Sequence, residues 1–199
     1  MRDMLKKLDS GLCQAYRLVW QPGATLHTDW WQFWDLQHFQ VLYFDAPVST
    51  QRRIDTHIIR LCGLADWKPA SLSSLQQDLV RIRAQLPVLL SALGLMAFGC
   101  ANYFHFRHYR KVLSTLFSAQ QLAQMSLLLR GAGSAPNIPP DELLQACLAA
   151  GITALDKSLV NDPLWQRLFF TLPRHSSEVK GDLTFADPVK MLLRLERFL

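Results

Sequence analysis

Between Ala84 and Phe106 the chain carries no Lys, Arg, Asp or Glu, and the centre of that stretch reads Pro-Val-Leu-Leu-Ser-Ala-Leu-Gly-Leu-Met-Ala-Phe-Gly-Cys over 87–100. A segment of this kind has few fates. It crosses a bilayer, which takes about 20 apolar residues, or it becomes a helix buried on all sides by the rest of its own domain. Gln85, Pro87, Asn102 and His105 interrupt the ends of the run, so its continuously apolar part is short. Arg81 and Arg83 precede it and Arg107 to Lys111 follow it, which leaves no charge asymmetry to orient a span. The reading preferred is a buried core helix opened by Pro87, with Gly94 and Gly99 admitting a close neighbour.

The flanking sequence supports a helical surround. Ile54, Ile58, Leu61 and Cys62 recur at helical spacing and Gly63 offers a stop. Ser71 reads as an N-cap ahead of Leu72, Leu75, Leu79, Ile82 and Leu86, an apolar stripe on one helix face. A further helix is expected from about Ala119 to Arg130, ended by the linker Gly131-Ala132-Gly133-Ser134-Ala135-Pro136. Pro139-Pro140-Asp141-Glu142 opens the strongest helical pattern, with Leu143, Leu144, Cys147, Leu148, Ile152, Leu155 and Leu159 inward. Asp162-Pro163 and Asp187-Pro188 each pair an N-cap with a first-turn proline. The polar stretch 174–185 is expected to be mobile. The fold class is all-α, an irregular helical domain over 50–199.

Residues 1–49 read differently. Tyr16-Arg17-Leu18-Val19-Trp20 looks like a short extended run closed by the turn signal Gln21-Pro22-Gly23, and 30–44 is rich in aromatics with poor helical periodicity. An aromatic-rich, less regular N-terminal unit packed on the main domain is expected there.

Hydrophobic residues make up 50% of the chain and charged residues 19%, against a usual charged share of about 25%. Apolar surface is ample to offset chain entropy, which excludes wholesale disorder, and some of it is expected to face partner proteins. The formal net charge of +5 is mild and spread along the chain. Its densest cluster, His105-Phe106-Arg107-His108-Tyr109-Arg110-Lys111, alternates basic and aromatic residues. That pattern suits a solvated helix face with its rings turned inward, or a surface that stacks bases and neutralises phosphate.

Signals of catalysis are lacking. No phosphate-binding glycine loop and no Gly-x-Ser-x-Gly turn occurs. His105 and His108 are three apart but have no carboxylate close by to complete a metal site. Asp55 and His57 point to different sides of a helix, Asp78 faces Arg81 as an i,i+3 pair, and Asp141, Glu142 and Asp162 are accounted for by helix starts. The four cysteines, 13, 62, 100 and 147, lie far apart, as free thiols do, with Cys100 and Cys147 as core fillers. The N-terminus has no apolar signal segment, so the expected location is the cell interior. No enzyme, cofactor or metal is expected.

Three features in a fixed order carry a resemblance. Tyr16-Arg17-Leu18-Val19-Trp20-Gln21-Pro22 is followed by Leu26-His27; then comes Leu89-Leu90-x-x-Leu93-Gly94-Leu95 with Gly99; late in the chain Gly151 and Leu155 precede Pro163-Leu164-Trp165-Gln166-Arg167-Leu168 and Leu172-Pro173. Over 16–173 this resembles the SctK family, the sorting-platform accessory protein of bacterial type III secretion systems. The spacing from Pro163 to Trp165 is shorter than in some relatives, and the tail beyond Arg174 has no counterpart. The resemblance implies a mainly helical adaptor without catalysis, needed for platform assembly and effector secretion. It would stand at the cytoplasmic face of the inner membrane and have no span. Its implied partners are the forkhead-associated-like cytoplasmic domain of the inner-membrane ring protein and the pod protein. Arg107, Arg110 and Lys111 are the candidates for meeting an acidic partner surface, and Trp30, Trp31 and Trp34 the candidate apolar anchors. The rival reading from a different class is a nucleic-acid-binding helical regulator acting through 105–111; a third is an integral membrane protein spanning at 87–106.

Overall fold

The structure is a computed structural model, and it describes residues 10–64, 66–129, 137–175 and 187–199. Among these every regular element is helical, so the fold is all-α. The linker at 131–136 and most of the polar stretch 174–185 lie outside the described residues. The chain forms two compact units, Met1–Arg83 with Leu159–Arg174 and Ala84–Ser158 with His175–Leu199. This boundary differs from the expected one between residues 49 and 50. The reason is packing: helix Val48–Leu61 lies against the Pro22–Ala24 turn and the Gln37–Tyr43 helix, which holds it with the N-terminal elements.

The first unit begins with α1, Ser10–Trp20. Tyr16 to Trp20, read from sequence as extended, is the end of this helix. Ala15, Leu18 and Val19 fall on one buried face, and the helix packs against both α5 (Ser74–Ile82) and α11 (Pro163–Phe169). A local β-like composition yields here to tertiary contacts with distant segments. A single 3-10 turn at Pro22–Ala24 leads to α2 (Thr28–Phe33), α3 (Gln37–Tyr43) and α4 (Val48–Leu61). Gly63 ends α4 at φ +62°, a left-handed position that a side chain would strain.

Helix α5 starts two residues later than Ser71 suggested. Ser73 caps it, accepting from the Gln76 backbone N–H at 3.2 Å, while the Gln76 side chain accepts from the Ser73 N–H at 3.1 Å. The Ser-x-x-Gln spacing of 73–76 permits that reciprocal pair, and Ser71-x-x-Ser74 does not. On its outer face Asp78 and Arg81 pair at 3.0 Å. Asp162 caps α11 as expected: one carboxylate oxygen accepts from the N–H groups of Leu164 and Trp165, both at 2.9 Å. Its other oxygen accepts from Gln76 Nε2 at 3.0 Å, so the starts of α5 and α11 are tied to each other.

The second unit is organised by α6, Leu86–Ala97, whose residues from Leu89 to Met96 are buried on every side. Pro87 sits in its first turn, as expected. The helical run Ser74–Ala97 is long and apolar enough to cross a membrane by length and composition, but 67% of its most apolar window is buried inside the protein. Burial all round is the signature of a core helix.

Helix α10, Leu143–Leu159, crosses α6 with backbone against backbone. A Cβ on Gly94 would stand 1.8 Å from the Cys147 carbonyl oxygen, and one on Gly151 would stand 1.9 Å from that of Leu90. Gly99 serves otherwise than expected: it has φ +61° and open space around it, so it makes a turn rather than a close approach. The short helices α7 (Asn102–His105), α8 (Arg107–Leu113) and α9 (Ala119–Leu128) follow, and α12 (Pro188–Leu195) packs on α6. Cys100 and Cys147 are buried, as expected of core fillers, and burial pushes the Cys147 thiol far up.

Candidate functional site

The basic cluster forms around a break in the chain. Phe106 is extended at φ −74° and ψ 131°, which separates α7 from α8. Tyr103, Phe104, Tyr109 and Leu113 face inward. The Tyr103 hydroxyl donates to Asn137 Oδ1 at 2.9 Å and that of Tyr109 to the Ile138 carbonyl at 2.8 Å, with the two rings edge to face at 4.9 Å. These contacts fix which way α8 is turned. Arg107, His108, Arg110 and Lys111 are all exposed, and Phe106 stands among them 44% exposed. Arg107, Arg110 and Lys111 make no ion pair among the described residues. The aromatics of this segment are therefore mostly core, and its cations form a free basic face. Among the described residues no group of three His, Cys, Asp or Glu side chains could hold a metal ion, the His105 and His108 pair included.

The tryptophans expected as surface anchors occupy another place. Trp30 and Trp31 lie on α2 and are turned inward, and Trp34 caps its C-terminal end. Trp31 is 1% exposed and meets Tyr43 at 6.1 Å between rings. Trp30, 9% exposed, packs on Phe170 at 4.9 Å and Phe169 at 5.7 Å, and its indole N–H donates to the Leu172 carbonyl at 3.0 Å. Trp34 is half-buried against Phe170. Two of the three are thus covered by the aromatic pair at the end of α11. What this unit does expose is a different apolar set: Trp20, Phe33, Val41, Leu42, Phe44 and Val48.

Asp55 has a role that its sequence position hid. It is buried on α4, where its carboxylate accepts from the Tyr43 hydroxyl at 2.9 and 3.0 Å and from the Gly23 N–H at 2.9 Å. Gly23 is required there, because a Cβ would stand 2.6 Å from the Tyr43 ring. Burial raises the Asp55 carboxyl above the usual carboxylate range, against the lowering effect of its two donors. The folded state therefore holds this proton more tightly than the unfolded state. Its contribution to stability is full below the unfolded pKa of about 3.9 and is lost as pH rises through the higher folded value. Urea unfolding of the wild type and of Asp55→Asn, compared from acid to neutral pH, is expected to show the wild type losing stability relative to the variant across that window. Parallel curves would contradict the assignment.

Beside Asp55 opens a groove of about 550 Å³, lined by Trp20, Gln21, Val48, Gln51, Arg52, Asp55, Thr56 and Ile59. The hydroxyl of Thr56 is turned back onto the Arg52 carbonyl at 2.8 Å, and the amide of Gln51 onto that of Tyr43 at 3.0 Å.

Among the described residues the surface carries a basic face on α8 and, beside Asp55, a groove whose lining mixes apolar with polar side chains. The chain belongs to a family of type III secretion system subunits, whose family model matches residues 13–174. No curated protein and no solved structure matches the chain. The SctK resemblance over 16–173 lies wholly within the matched residues.

Proposed function

We propose that this chain is the sorting-platform adaptor of its type III secretion system, an SctK-type protein at the cytoplasmic face of the inner membrane. It would join the forkhead-associated-like domain of the ring protein to the pod protein and act by contact rather than catalysis. The observation that carries this reading is the family match over 13–174, which spans the ordered features on which the SctK resemblance rests. The surfaces agree with it. Arg107, Arg110 and Lys111 offer unpaired cations to an acidic protein surface, a device that speeds encounter and selects partners. The exposed apolar groups of the first unit suit a second, drier contact.

The test is deletion in the native cell with a fluorescent pod protein as reporter. Envelope-associated pod foci and effector secretion should both disappear and return on complementation. Normal foci and normal export after deletion would refute the adaptor. Combined charge reversal of Arg107, Arg110 and Lys111 should weaken partner capture in a salt-dependent way, while duplex DNA binding at physiological salt stays unmeasurable in the wild type. Tight, steeply salt-dependent DNA binding would favour the regulator instead.

A further inference from the structure

We infer that the groove between the end of α1 and the outer face of α4 receives an acidic amphipathic helix from a partner protein. Its lining is apolar where Trp20, Val48 and Ile59 meet; Trp20 is 52% and Val48 62% exposed, with none of the described residues laid over them. The volume of about 550 Å³ falls within the roughly 300–1,000 Å³ usual for binding clefts.

Charge selects the occupant. Arg52 lines the groove, and Arg53 and Arg60 are exposed on the same helix; none of the three makes an ion pair among the described residues. Between Gln37 and Leu61 the carboxylates are Asp45, which is exposed, and Asp55, whose oxygens are engaged by Tyr43 and Gly23. The floor therefore takes apolar side chains and the rim takes carboxylates. That division is the pattern of an amphipathic helix with one aliphatic or aromatic face and one acidic face. The described surface is helical throughout and offers no strand edge to extend, so a helix laid in a groove is the mode that fits.

This inference deepens the adaptor reading and rests on it only for the partner's being a protein. Its test uses the full chain and two labelled peptides, both amphipathic helices with a Leu/Phe face. One carries Glu on its polar face and the other Lys, and binding is followed by fluorescence anisotropy. The Glu peptide should bind saturably, more weakly as salt rises, and the Lys peptide should not. Arg52→Glu should lower affinity at least tenfold, and Val48→Asp similarly, whereas Arg194→Glu on α12, exposed and outside both basic surfaces, should change it less than twofold. Circular dichroism confirms that each variant keeps its helix content.

Equal binding of both peptides, no binding of either, or an equal loss from Arg194→Glu would overturn the assignment. So would a dimer of the wild type that Val48→Asp dissolves, because a second copy would then be the occupant. Failure here leaves the deletion phenotype untouched, and a normal deletion phenotype leaves the peptide result standing, so the two readings fail separately.

Discussion

Replacing Gly151 with alanine is expected to destabilise the chain by about 3 kcal/mol, the upper part of the range for overpacking a core. Helix propensity alone argues the other way, since Ala is favoured over Gly inside a helix by about 1 kcal/mol. The geometry decides the sign. The new Cβ would lie 1.9 Å from the Leu90 carbonyl oxygen, 2.7 Å from its carbon and 3.0 Å from its Cα. All three are backbone atoms of α6, which cannot swing aside as a side chain does, so the two helices must separate. Separation opens gaps along a contact that includes Leu90 and Cys147, both buried.

Gly94→Ala meets the Cys147 carbonyl oxygen at 1.8 Å and should cost a similar amount. The double variant should cost clearly less than the sum, because one separation relieves both clashes. Urea midpoints at constant slope report all three values. In thermal unfolding about 3 kcal/mol corresponds to a fall of roughly 6–12 °C for a chain of this size. A raised midpoint for Gly151→Ala would mean that α6 and α10 do not touch as described.

How far the sequence foretold this arrangement depended on the range of the interaction. Local devices were readable. Asp162-Pro163 and Asp187-Pro188 cap α11 and α12 because an N-cap bond reaches only two or three residues along the chain. The charge-free run became the all-round buried α6 for the same reason: its composition leaves no polar face to present. Gly94 was legible as a close-contact residue, but its partner at 147–151 was not, because nothing in α6 encodes which helix will cross it.

The misreadings share that cause. Tyr16 to Trp20 looks extended until α5 and α11 supply the other half of its helical interface. Trp30, Trp31 and Trp34 look like surface anchors until Phe169 and Phe170 arrive from the far end of the chain to cover two of them. Asp55 looked like an ordinary helix carboxylate, although its donors, Tyr43 and Gly23, make it a buried junction of three elements. On α8 the cations were recognisable and Tyr109 turned inward as expected, whereas Phe106 just ahead of it is exposed. That segment's register is local, so pattern was sufficient there.

Trp31→Ala is expected to cost about 3–5 kcal/mol, the usual loss for deleting a fully buried large aromatic. The value separates two roles that composition cannot distinguish. An indole that anchors a partner is solvated in the free protein, so its removal weakens binding and leaves folding nearly unchanged. An indole that is 1% exposed between α2 and Tyr43 has its whole contact area at stake in folding. Trp30 adds a donor to that account: Trp30→Phe keeps most of the apolar area but leaves the Leu172 carbonyl without its 3.0 Å partner, for a smaller loss of about 1 kcal/mol. Trp20, half exposed at the groove, supplies the contrast. Trp20→Ala should shift the unfolding midpoint by no more than about 0.5 kcal/mol, as surface changes do, while it reduces binding of the acidic peptide. If Trp31→Ala instead folds as well as the wild type and loses partner capture, then α2 presents Trp31 outward and its burial against Tyr43 is wrong. Stability and binding measured on the same pair of variants therefore decide which aromatics belong to the core and which to the partner.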